Sequence, residues 1–397
     1  MKILMLTPYL PFPLLSGGQI RTYNLLKNLS PKHEISLFSF IRDEQEKVYT
    51  AKLKKYCRQV KVIKRRQAWD PKNICLAGLS PYPFLVSIYL SFTLRREIKK
   101  ELDQGNYDLI HAETFYVMPN IPQTQVPILL VEQTIEFMVY QNFVDNLRPW
   151  FLKPFLYFDV MKIKIWEKYF WRRSTRLAAM SEEDKQVMTQ TVPQKTIDIV
   201  ANGVDIDFFT KAKIQRPKAP TVLFVGNFKW LPNKDAAKFL TYRLWPKIKA
   251  KLPQARLWIV GKNPTEEILA LGRKKDVLVD SGVEDIRSAF GQASVLLAPI
   301  RNGRGTKYKV LEAMATKLPV ITTPLGIEGI EAKVNQEVLI AQGEENLARQ
   351  TVELLKNPLL GQKLAKSAFS LVKKEYNWGR ISNSLDKIYQ KLGQSRG

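Results

Sequence analysis

Residues 299–326, which read PIRNGRGTKYKVLEAMATKLPVITTPLG, constrain the fold more than any other part of this chain. An apolar run of strand length ends at Pro299, and a basic loop with two glycines follows it. A helical pattern then leads into a second apolar run. Strand, loop, helix and strand in this order form the repeating unit of a parallel α/β sheet. The segment therefore predicts a parallel sheet with a ligand-binding loop at the end of one strand.

The loop has the composition of an anion-binding site. Gly303 and Gly305 permit a sharp turn and the close approach of a ligand. Thr306 is predicted to cap a helix that runs to about Ala315, and the free amides and positive dipole of such a helix end attract anions. Three cations lie around the same point: Arg301, Arg304 and Lys307. Guanidinium groups can bind two phosphate oxygens at once, so phosphate is the expected ligand, and the alternative interpretation is a solvated basic loop.

Glu312 lies one to two turns along the predicted helix. A carboxylate there would repel phosphate, but it could accept hydrogen bonds from the hydroxyls of a ribose. A nucleotide satisfies both the basic loop and this carboxylate. The alternative is that Glu312 is an ordinary helix residue.

Apolar and helical stretches alternate along the whole chain, as a doubly wound parallel fold requires. The predicted strands of the first half are 2–6, 35–40, 59–63, 108–111, 128–132, 176–179 and 198–200. Those of the second half are 221–225, 256–260, 277–279, 295–298, 320–322 and 338–340. A basic stretch broken by two prolines, 211–220, is the predicted linker. The predicted domains are residues 1–205 and 206–375.

Length, cysteine content and charge agree with this organisation. The 397 residues suffice for two domains with full cores. Only Cys57 and Cys75 are present, which is too few for a disulfide framework and indicates a reducing compartment. The first ten residues, MKILMLTPYL, have the pattern of a first strand and not of a secretory signal, so we expect a cytoplasmic enzyme.

The net charge of +25 favours anionic partners, but no zinc-finger spacing, basic tail or aromatic RNA-binding signature supports nucleic acid.

Seven segments, spread in order over nearly the whole chain, carry a family resemblance. They are Ser16-Gly17-Gly18 with the helical run after it, Asp108-Leu109-Ile110-His111, Asn202-Gly203-Val204-Asp205, Phe224-Val225-Gly226-Asn227, Ile259-Val260-Gly261-Lys262, Ser281-Gly282-Val283-Glu284-Asp285 and the block GRGTKYKVLEAMATKLPVITTPLGIEGI, residues 303–330. Together they resemble the retaining glycosyltransferases of family 4. That resemblance implies an α/β protein of the GT-B fold, with two facing Rossmann-like domains, parallel sheets and an active site in the cleft between them.

The resemblance also implies domain roles and an activity. The first domain would be the acceptor side, completed by a C-terminal helix at 376–397 that crosses back onto it, and the second would bind the donor. The enzyme would transfer a sugar from a nucleotide diphosphate donor with retention of anomeric configuration, without a metal or other cofactor. The acceptor would be a glycan or a lipid-linked sugar in cell-surface polysaccharide or glycoconjugate synthesis. Two other functions stay open: a non-catalytic nucleotide-sugar binding protein and a nucleotide-sugar 2-epimerase of the same fold.

Residue roles follow from the matched motifs. The catalytic residues implied are His111 at the donor sugar, with Arg304 and Lys307 at the diphosphate. The donor-binding residues implied are Gly17, Gly18, Gly226, Lys229, Lys262, Gly305, Thr306 and Glu312. For His111 the alternative is a hydrogen-bonded histidine at a strand end.

The chain departs from the family pattern at two places. The family usually has two glutamates separated by seven residues; Glu312 matches the second, whereas Arg304 occupies the position of the first. A subgroup with a similar GxGTxxKxLEAMA loop shares this change. An arginine usual after Gly226 is replaced by Asn227, and Lys229 or Lys234 could supply the lysine that normally follows.

A membrane surface is a further expected partner. Residues 150–173 mix aromatic and basic side chains, which suits the interface of an anionic bilayer. Residues 151–158 are the expected lipid-facing part, while 161–171 are expected to pack their aromatic face into the first domain. The uncharged stretch 73–94 is interrupted by prolines, glycine and serines, so we expect a loop and then a helix over 83–102 in place of a membrane span. The enzyme could therefore be peripheral on the inner face of a membrane.

Overall fold

The computed structural model describes residues 1–215 and 217–394, and their packing divides the chain into two compact units. Unit 1 contains Met1–Ala201 together with the residues from Ser382 onward, and unit 2 contains Asn202–Ile381. Each unit is an α/β layer around its own parallel sheet. The fold class predicted from the alternation of strands and helices is therefore confirmed, while the assignment of acceptor and donor roles to the domains stays a prediction.

Unit 1 is built on a seven-stranded parallel sheet in the order β3-β2-β1-β4-β5-β6-β7. Its strands are β1 Lys2–Thr7, β2 Glu34–Ile41, β3 Gln59–Lys64, β4 Leu109–Glu113, β5 Ile128–Val131, β6 Arg176–Ala179 and β7 Ile197–Ile199. Strands β1 and β4 lie inside the sheet and are buried along almost their whole length. Helices cover both faces of a parallel sheet, which explains why these strands read as continuous apolar runs.

The helices of unit 1 connect these strands. They are α1 Gly17–Leu29, α2 Thr50–Leu53, α3 Pro71–Leu79, α4 Phe84–Tyr89, α5 Phe92–Gln104, α6 Glu136–Asp145, α7 Lys153–Arg173 and α8 Glu182–Thr191. The core of the unit lies between the sheet and these helices, and Phe38, Phe115 and Trp171 are among its largest fully buried side chains.

Unit 2 has a six-stranded parallel sheet in the order β10-β9-β8-β11-β12-β13. Its strands are β8 Thr221–Val225, β9 Arg256–Val260, β10 Val277–Asp280, β11 Val295–Ala298, β12 Val320–Thr322 and β13 Leu339–Ile340. Its helices are α9 Ile206–Phe209, α10 Leu231–Phe239, α11 Trp245–Lys251, α12 Glu266–Leu269, α13 Ile286–Gly291, α14 Tyr308–Ala315, α15 Glu344–Lys356 and α16 Pro358–Glu375. A π turn, Leu240–Leu244, joins α10 to α11.

The last helix, α17 Trp378–Gln394, begins in unit 2 and ends in unit 1. Leu385, Tyr389 and Leu392 are buried there. Its Asp386 accepts hydrogen bonds from Lys32 at 2.8 Å and pairs with His33 at 2.9 Å. The C-terminal residues are therefore part of the packing of the first unit.

The uncharged segment 73–94 differs from the expectation. Residues 73–79 belong to helix α3 and not to a loop, because Asp70 caps the helix at Lys72 N–H and Pro71 suits its first turn. The single helix expected over 83–102 is two helices, α4 and α5, separated at Leu90 and Ser91. Ser91 has an extended backbone and accepts a hydrogen bond from Leu94 N–H at 3.2 Å, so it starts a new helix.

The later part of helix α7 packs into the core and its start is exposed, as its sequence predicts. Ile163, Phe170 and Trp171 are buried in the unit 1 core, in agreement with the expected packing of 161–171. Phe155, by contrast, is 76% exposed, and Trp150, just before the helix, is 77% exposed. Within the described residues, no helix combines the length and apolarity needed to cross a bilayer.

Two buried carboxyl groups, Glu132 and Glu167, lie with the partly buried Glu136 where β5 leads into α6. Glu132 accepts a hydrogen bond from Trp171 Nε1 at 2.9 Å, and its other carboxyl oxygen has no hydrogen-bond partner among the described residues. Glu167 accepts from the backbone N–H groups of Glu136 and Phe137 at 2.8 and 3.1 Å, which caps α6. Burial raises the pKa of Glu132, Glu136 and Glu167, and repulsion by neighbouring carboxylates adds to the shift of Glu132 and Glu167.

This cluster predicts a stability that depends on pH. Since the pKa of Glu132 is higher in the folded than in the unfolded state, its stabilising contribution is present at acid pH and is lost as pH rises through the folded-state pKa. Glu132→Gln, which mimics the protonated acid, should therefore melt several degrees above wild type at mildly alkaline pH and close to wild type at acid pH. Thermal unfolding across the pH range measures this. Glu183→Gln, at an exposed acid on α8, is the control, and a constant difference between Glu132→Gln and wild type at all pH values would contradict the assignment.

Candidate functional site

The cationic loop, residues 301–307, connects β11 to α14 at the carboxyl edge of the unit 2 sheet. Gly303 and Gly305 have φ angles of 89° and 84°, in the left-handed region that favours glycine. A Cβ on Gly303 would lie 2.9 Å from Pro232 Cγ. Both glycines of the motif are therefore required by the backbone, and the loop lies where parallel α/β sheets bind ligands.

The start of the helix differs from the prediction. Helix α14 begins at Tyr308, its cap position is Lys307, and no side chain makes the capping hydrogen bond. Thr306 is therefore not the cap. Its hydroxyl is buried without a hydrogen-bond partner among the described residues, and a Cβ on Gly329 would lie 2.8 Å from it. The chain passes through Gly305, which has a positive φ, and then through Thr306 and Lys307 before the helix starts at Tyr308.

Lys307 and Glu328 hold the loop together. The Lys307 ammonium donates to the carbonyl oxygens of Gly303, at 3.3 Å, and Gly305. Gly305 N–H donates to Glu328 Oε2 at 3.0 Å, and Lys307 Nζ lies 3.8 Å from the same oxygen. One amide and one ammonium therefore converge on a single carboxylate oxygen. Burial lowers the pKa of Lys307 to about 8, and Glu328 opposes that shift.

A second ionisable pair lies on α14. Lys309 donates to Asn233 Oδ1 at 2.7 Å, and its Nζ lies 4.4 Å from the centre of the Phe224 ring. Burial and the repulsion of Lys307 lower the pKa of Lys309 to about 7, and burial raises the pKa of Glu312 to about 7, each charge partly offsetting the shift of the other. The protonation states of Lys309 and Glu312 therefore both change near neutral pH.

The glycine turns after β8 and β9 pack directly on each other. A Cβ on Gly261 would lie 1.7 Å from Gly226 O, and one on Gly226 would lie 3.0 Å from Asn233 Cγ. Asn233, which also binds Lys309, therefore links Gly226 to α14. Lys229 and Lys262 are exposed in the same two turns, and neither side chain forms an ion pair within the described part of the chain.

The remaining cations of the loop are oriented differently. Arg301 is paired with Asp235, at 2.6 and 3.1 Å, and its guanidinium stacks 4.1 Å from the centre of the Phe239 ring. Arg301 is therefore engaged in holding the loop to α10. Arg304 is exposed at the tip of the loop. Unit 2 thus brings Gly226, Gly305, Thr306, Lys307 and Glu312 to one sheet edge.

Unit 1 carries the amino-terminal glycine turn, residues 16–18, at the start of α1. Ser16 caps the helix by accepting from Gln19 N–H. A Cβ on Gly18 would lie 2.2 Å from Tyr9 Oη, whose hydroxyl accepts from Gln133 Nε2. The absence of a side chain at Gly18 therefore lets α1 approach the turn after β1, while Gly17 forms the first residue of the helix.

His111 lies in the interior of unit 1 and not on an open surface. Its Nδ1 pairs with Tyr389 Oη and its Nε2 with Glu113 Oε2, both at 2.6 Å, and the side chain is fully buried. Glu113 also accepts from Arg21 Nε at 2.8 Å. Burial alone would raise the pKa of Glu113, but Arg21 and His111 lower it to about 2. The structure therefore leaves no ring nitrogen of His111 open to a sugar, and it has the strand-end hydrogen bonds of the alternative interpretation.

Two family profiles match the chain. The family described as Glycosyltransferase Family 4 matches residues 15–208, and the family described as Glycosyl transferases group 1 matches residues 219–357. The two ranges cover most of the chain. The chain belongs to the family 4 and group 1 glycosyltransferases.

Solved structures place the glycosyltransferase in the GT-B fold. Sucrose-phosphate synthase from Thermosynechococcus elongatus aligns over 100% of both chains with a TM-score of 0.72 and 16% identity. Anabaena HepE, solved with UDP and glucose, aligns over 98% of this chain and 100% of its own with a TM-score of 0.64 and 13% identity. A Klebsiella pneumoniae protein described as an "uncharacterized 44.6 kDa protein in cps region" is 22% identical over 402 residues, 97% of this chain and 99% of that one.

Sequence reasoning missed three residues of the glycosyltransferase that the structure places at the predicted site. They are Glu328, Lys309 and Asn233. Glu328 follows Gly305 by 23 positions and lies in the turn after β12. A signal was present, since the carboxyl ends of adjacent parallel strands meet at one sheet edge and β12 is the neighbour of β11. An acid in the turn after β12 was therefore a candidate partner for the cationic loop.

Glu328 predicts a measurable competition. Its carboxylate holds the Gly305 amide and faces the Lys307 ammonium, so an incoming anion must displace it. Glu328→Gln should raise the affinity of the glycosyltransferase for inorganic pyrophosphate about three- to tenfold at slightly acid pH, where Lys307 is protonated. Calorimetric titration measures this, with Glu331→Gln, at a nearby exposed acid, as the control. Weaker pyrophosphate binding by Glu328→Gln than by the control would contradict the competition.

Proposed function

We propose that this glycosyltransferase moves a sugar from a nucleoside diphosphate donor to a glycan or lipid-linked acceptor, with retention of configuration and without a metal ion. One observation carries the proposal: Gly305 N–H and Lys307 Nζ converge on a single oxygen of Glu328. An amide and an ammonium aimed at one oxyanion form the arrangement that a donor phosphate requires. In the donor complex a phosphate oxygen takes the position of the Glu328 oxygen.

The chemical demand is the departure of the nucleoside diphosphate. As the bond between the anomeric carbon and the phosphate oxygen breaks, the electron pair and the negative charge move onto the diphosphate. Lys307, the Gly305 amide and the exposed Arg304 are the groups we assign to that charge. Retention means that the acceptor oxygen bonds to the anomeric carbon on the face from which the diphosphate leaves, and the proton of the acceptor hydroxyl passes to the departing diphosphate oxygen.

Glu312 and Lys309 are assigned to the nucleoside. Because the pKa values of Glu312 and Lys309 are both about 7, a ribose hydroxyl that donates to the Glu312 carboxylate would favour its charged form. Gly226, Lys229 and Lys262 remain donor-binding candidates because their turns lie at the same sheet edge. We assign His111 to positioning, since its hydrogen bond holds Glu113 against Arg21.

Cell-surface polysaccharide synthesis is the setting we propose. The Klebsiella relative is described by its place in a cps region, and HepE structures contain UDP, UDP with glucose, and UDP-glucose. Uridine diphosphate sugars are therefore the first donors to test. The experiment measures thermal stabilisation by a panel of nucleotide sugars, since a bound ligand raises the melting temperature. Product analysis then follows with and without a glycan or lipid-linked acceptor.

A glycoside with the donor's anomeric configuration, formed also in the presence of a chelator, would support the proposal. An inverted glycoside would contradict retention, and loss of turnover on chelation would contradict metal independence. An epimerised nucleotide sugar with no glycoside would show the 2-epimerase. Stabilisation by a donor with no turnover under any acceptor would show a binding protein.

Lys307 variants test the assigned charge stabilisation. Lys307→Ala should lower kcat about 10²- to 10³-fold, the usual effect of losing one oxyanion-stabilising group, with a smaller change in KM. Wild-type turnover should fall as pH rises through about 8, because the Lys307 ammonium then loses its proton. Lys307→Arg should keep its charge and lose this alkaline decline. Lys333→Ala, at an exposed lysine of unit 2, is the control; equal kcat in Lys307→Ala and Lys333→Ala would refute the role.

We further propose that an anionic membrane surface is a partner, through a face of unit 1 formed by α3 and the start of α7. Leu79 on α3 is 91% exposed, and Phe151, Phe155 and Phe158 are also exposed. Lys162 Nζ donates to the carbonyls of Ala77 and Ser80, which fixes α3 to α7. Exposed aromatic side chains beside lysines suit the interface of an anionic bilayer. The enzyme would then work at the inner face of the membrane.

Vesicle binding tests this face. Phe151→Ser with Phe155→Ser should weaken sedimentation with vesicles of equal parts phosphatidylglycerol and phosphatidylcholine at least about tenfold, because each buried phenylalanine contributes roughly 1.5–3 kcal/mol. Wild type should bind pure phosphatidylcholine less well. Leu359→Ser, at an exposed leucine of α16, is the control. Equal binding by the double variant and the control would exclude this face.

A further inference from the structure

We propose that unit 1 has a second binding site, for an anionic saccharide, at the amino edge of its sheet. A cavity of about 800 Å³ lies there. It is bounded by the loop before β5, by Thr175 just before β6 and by the last turns of α7. This size is within the range of sites that bind small molecules. The amino-terminal glycine turn follows β1 and lies at the opposite, carboxyl edge of the same parallel sheet.

Two arginines give the cavity its charge. Arg173 Nη2 donates to the carbonyls of Ile121 and Pro122, at 2.7 and 2.9 Å, which orient the guanidinium without neutralising it. Arg95, on α5, lines the same cavity, and neither arginine forms an ion pair with an acid among the described residues. No aspartate or glutamate lines the cavity. Burial lowers the pKa of Arg173, and repulsion by Arg95 adds to the shift, so an anion bound beside both arginines would offset it.

An aromatic platform lies beside these charges. Trp166 stacks on Tyr82, with ring centres 4.8 Å apart and an angle of 29° between the planes. Tyr169 meets Trp166 edge to face at 5.6 Å. Trp166 Nε1 donates to Pro81 O at 2.8 Å, which fixes the indole. The apolar C–H face of a pyranose packs well on such rings, whose rigidity keeps the entropic loss on binding low.

The combination selects a class of ligand. Arginine binds carboxylate or phosphate through paired hydrogen bonds, and the aromatic rings provide a surface for a sugar ring. Gln123, Thr124 and Gln125 add neutral polar groups of the kind that recognise hydroxyls. The ligand is therefore a sugar unit that carries a carboxylate or a phosphate. Because this site lies at the other edge of the sheet from the glycine turn, it would hold a part of the glycan remote from the reacting sugar.

Calorimetric titration of the full chain tests the site with four probes. Glucuronate and glucose 1-phosphate represent the two sources of charge, and glucose and inorganic phosphate represent the ring and the anion alone. The titrations are repeated in Lys307→Ala, so that phosphate binding at the cationic loop is separated from binding at this cavity. We expect at least one of the charged sugars to bind about tenfold or more tightly than either glucose or phosphate, also in Lys307→Ala.

Arg95→Ala should weaken that binding about tenfold, whereas Arg96→Ala, at the neighbouring exposed arginine of α5, should not change it. Trp166→Ala should weaken binding of the charged sugar while leaving binding of phosphate unchanged. The relative affinities of glucuronate and glucose 1-phosphate identify the source of the charge. The proposal is overturned if neither charged sugar binds more tightly than glucose, if phosphate alone binds as well as both charged sugars in Lys307→Ala, or if Arg95→Ala and Arg96→Ala bind alike. Thermal unfolding of each variant confirms that it is folded.

Discussion

The cost of withdrawing an ammonium from water governs the site in unit 2. Lys307 is partly buried, and its charge is compensated by two backbone carbonyls and by the Glu328 carboxylate. The positive φ angles at Gly303 and Gly305 are needed because they turn these carbonyls towards the ammonium. The glycines, the lysine and the distant acid therefore form one arrangement, and a loop lacking any one of them would lose either its shape or its charge balance.

Unit 1 also contains buried charged groups that compensate one another. Arg21, Glu113, His111 and Tyr389 form a continuous buried network, in which the Glu113 carboxylate is bound by Arg21, His111 and Gln133. Breaking such a network leaves an uncompensated charge in the interior, so its members specify one packing of α1, β4 and α17. Glu132 and Glu167, by contrast, form no ion pair among the described residues, and burial raises the pKa of both carboxyl groups, so they hold protons to higher pH.

The sequence allowed the two parallel sheets and the position of the cationic loop to be predicted, because both depend on local patterns. Buried strands read as apolar runs, and a loop between β11 and α14 needs glycine at Gly303 and Gly305 whatever surrounds it. The contacts of individual side chains could not be predicted in the same way. Threonine is a common residue at helix caps, which favoured Thr306, but the path of the backbone makes Lys307 the cap position. Glu328 and Tyr389 reach their partners only through the fold, across 23 and 278 positions of sequence.

The docking of α17 on unit 1 has a consequence for protein synthesis. Tyr389 is translated after the whole of Asn202–Ile381, and His111 has no other partner for its Nδ1 among the described residues. The ribosome therefore completes and releases all of unit 2 before the interior of unit 1 can close. The continuous segment Asn202–Ile381 can therefore fold while unit 1, which is translated earlier, still lacks α17. Synthesis of unit 1 thus begins before that of unit 2 but is completed after it.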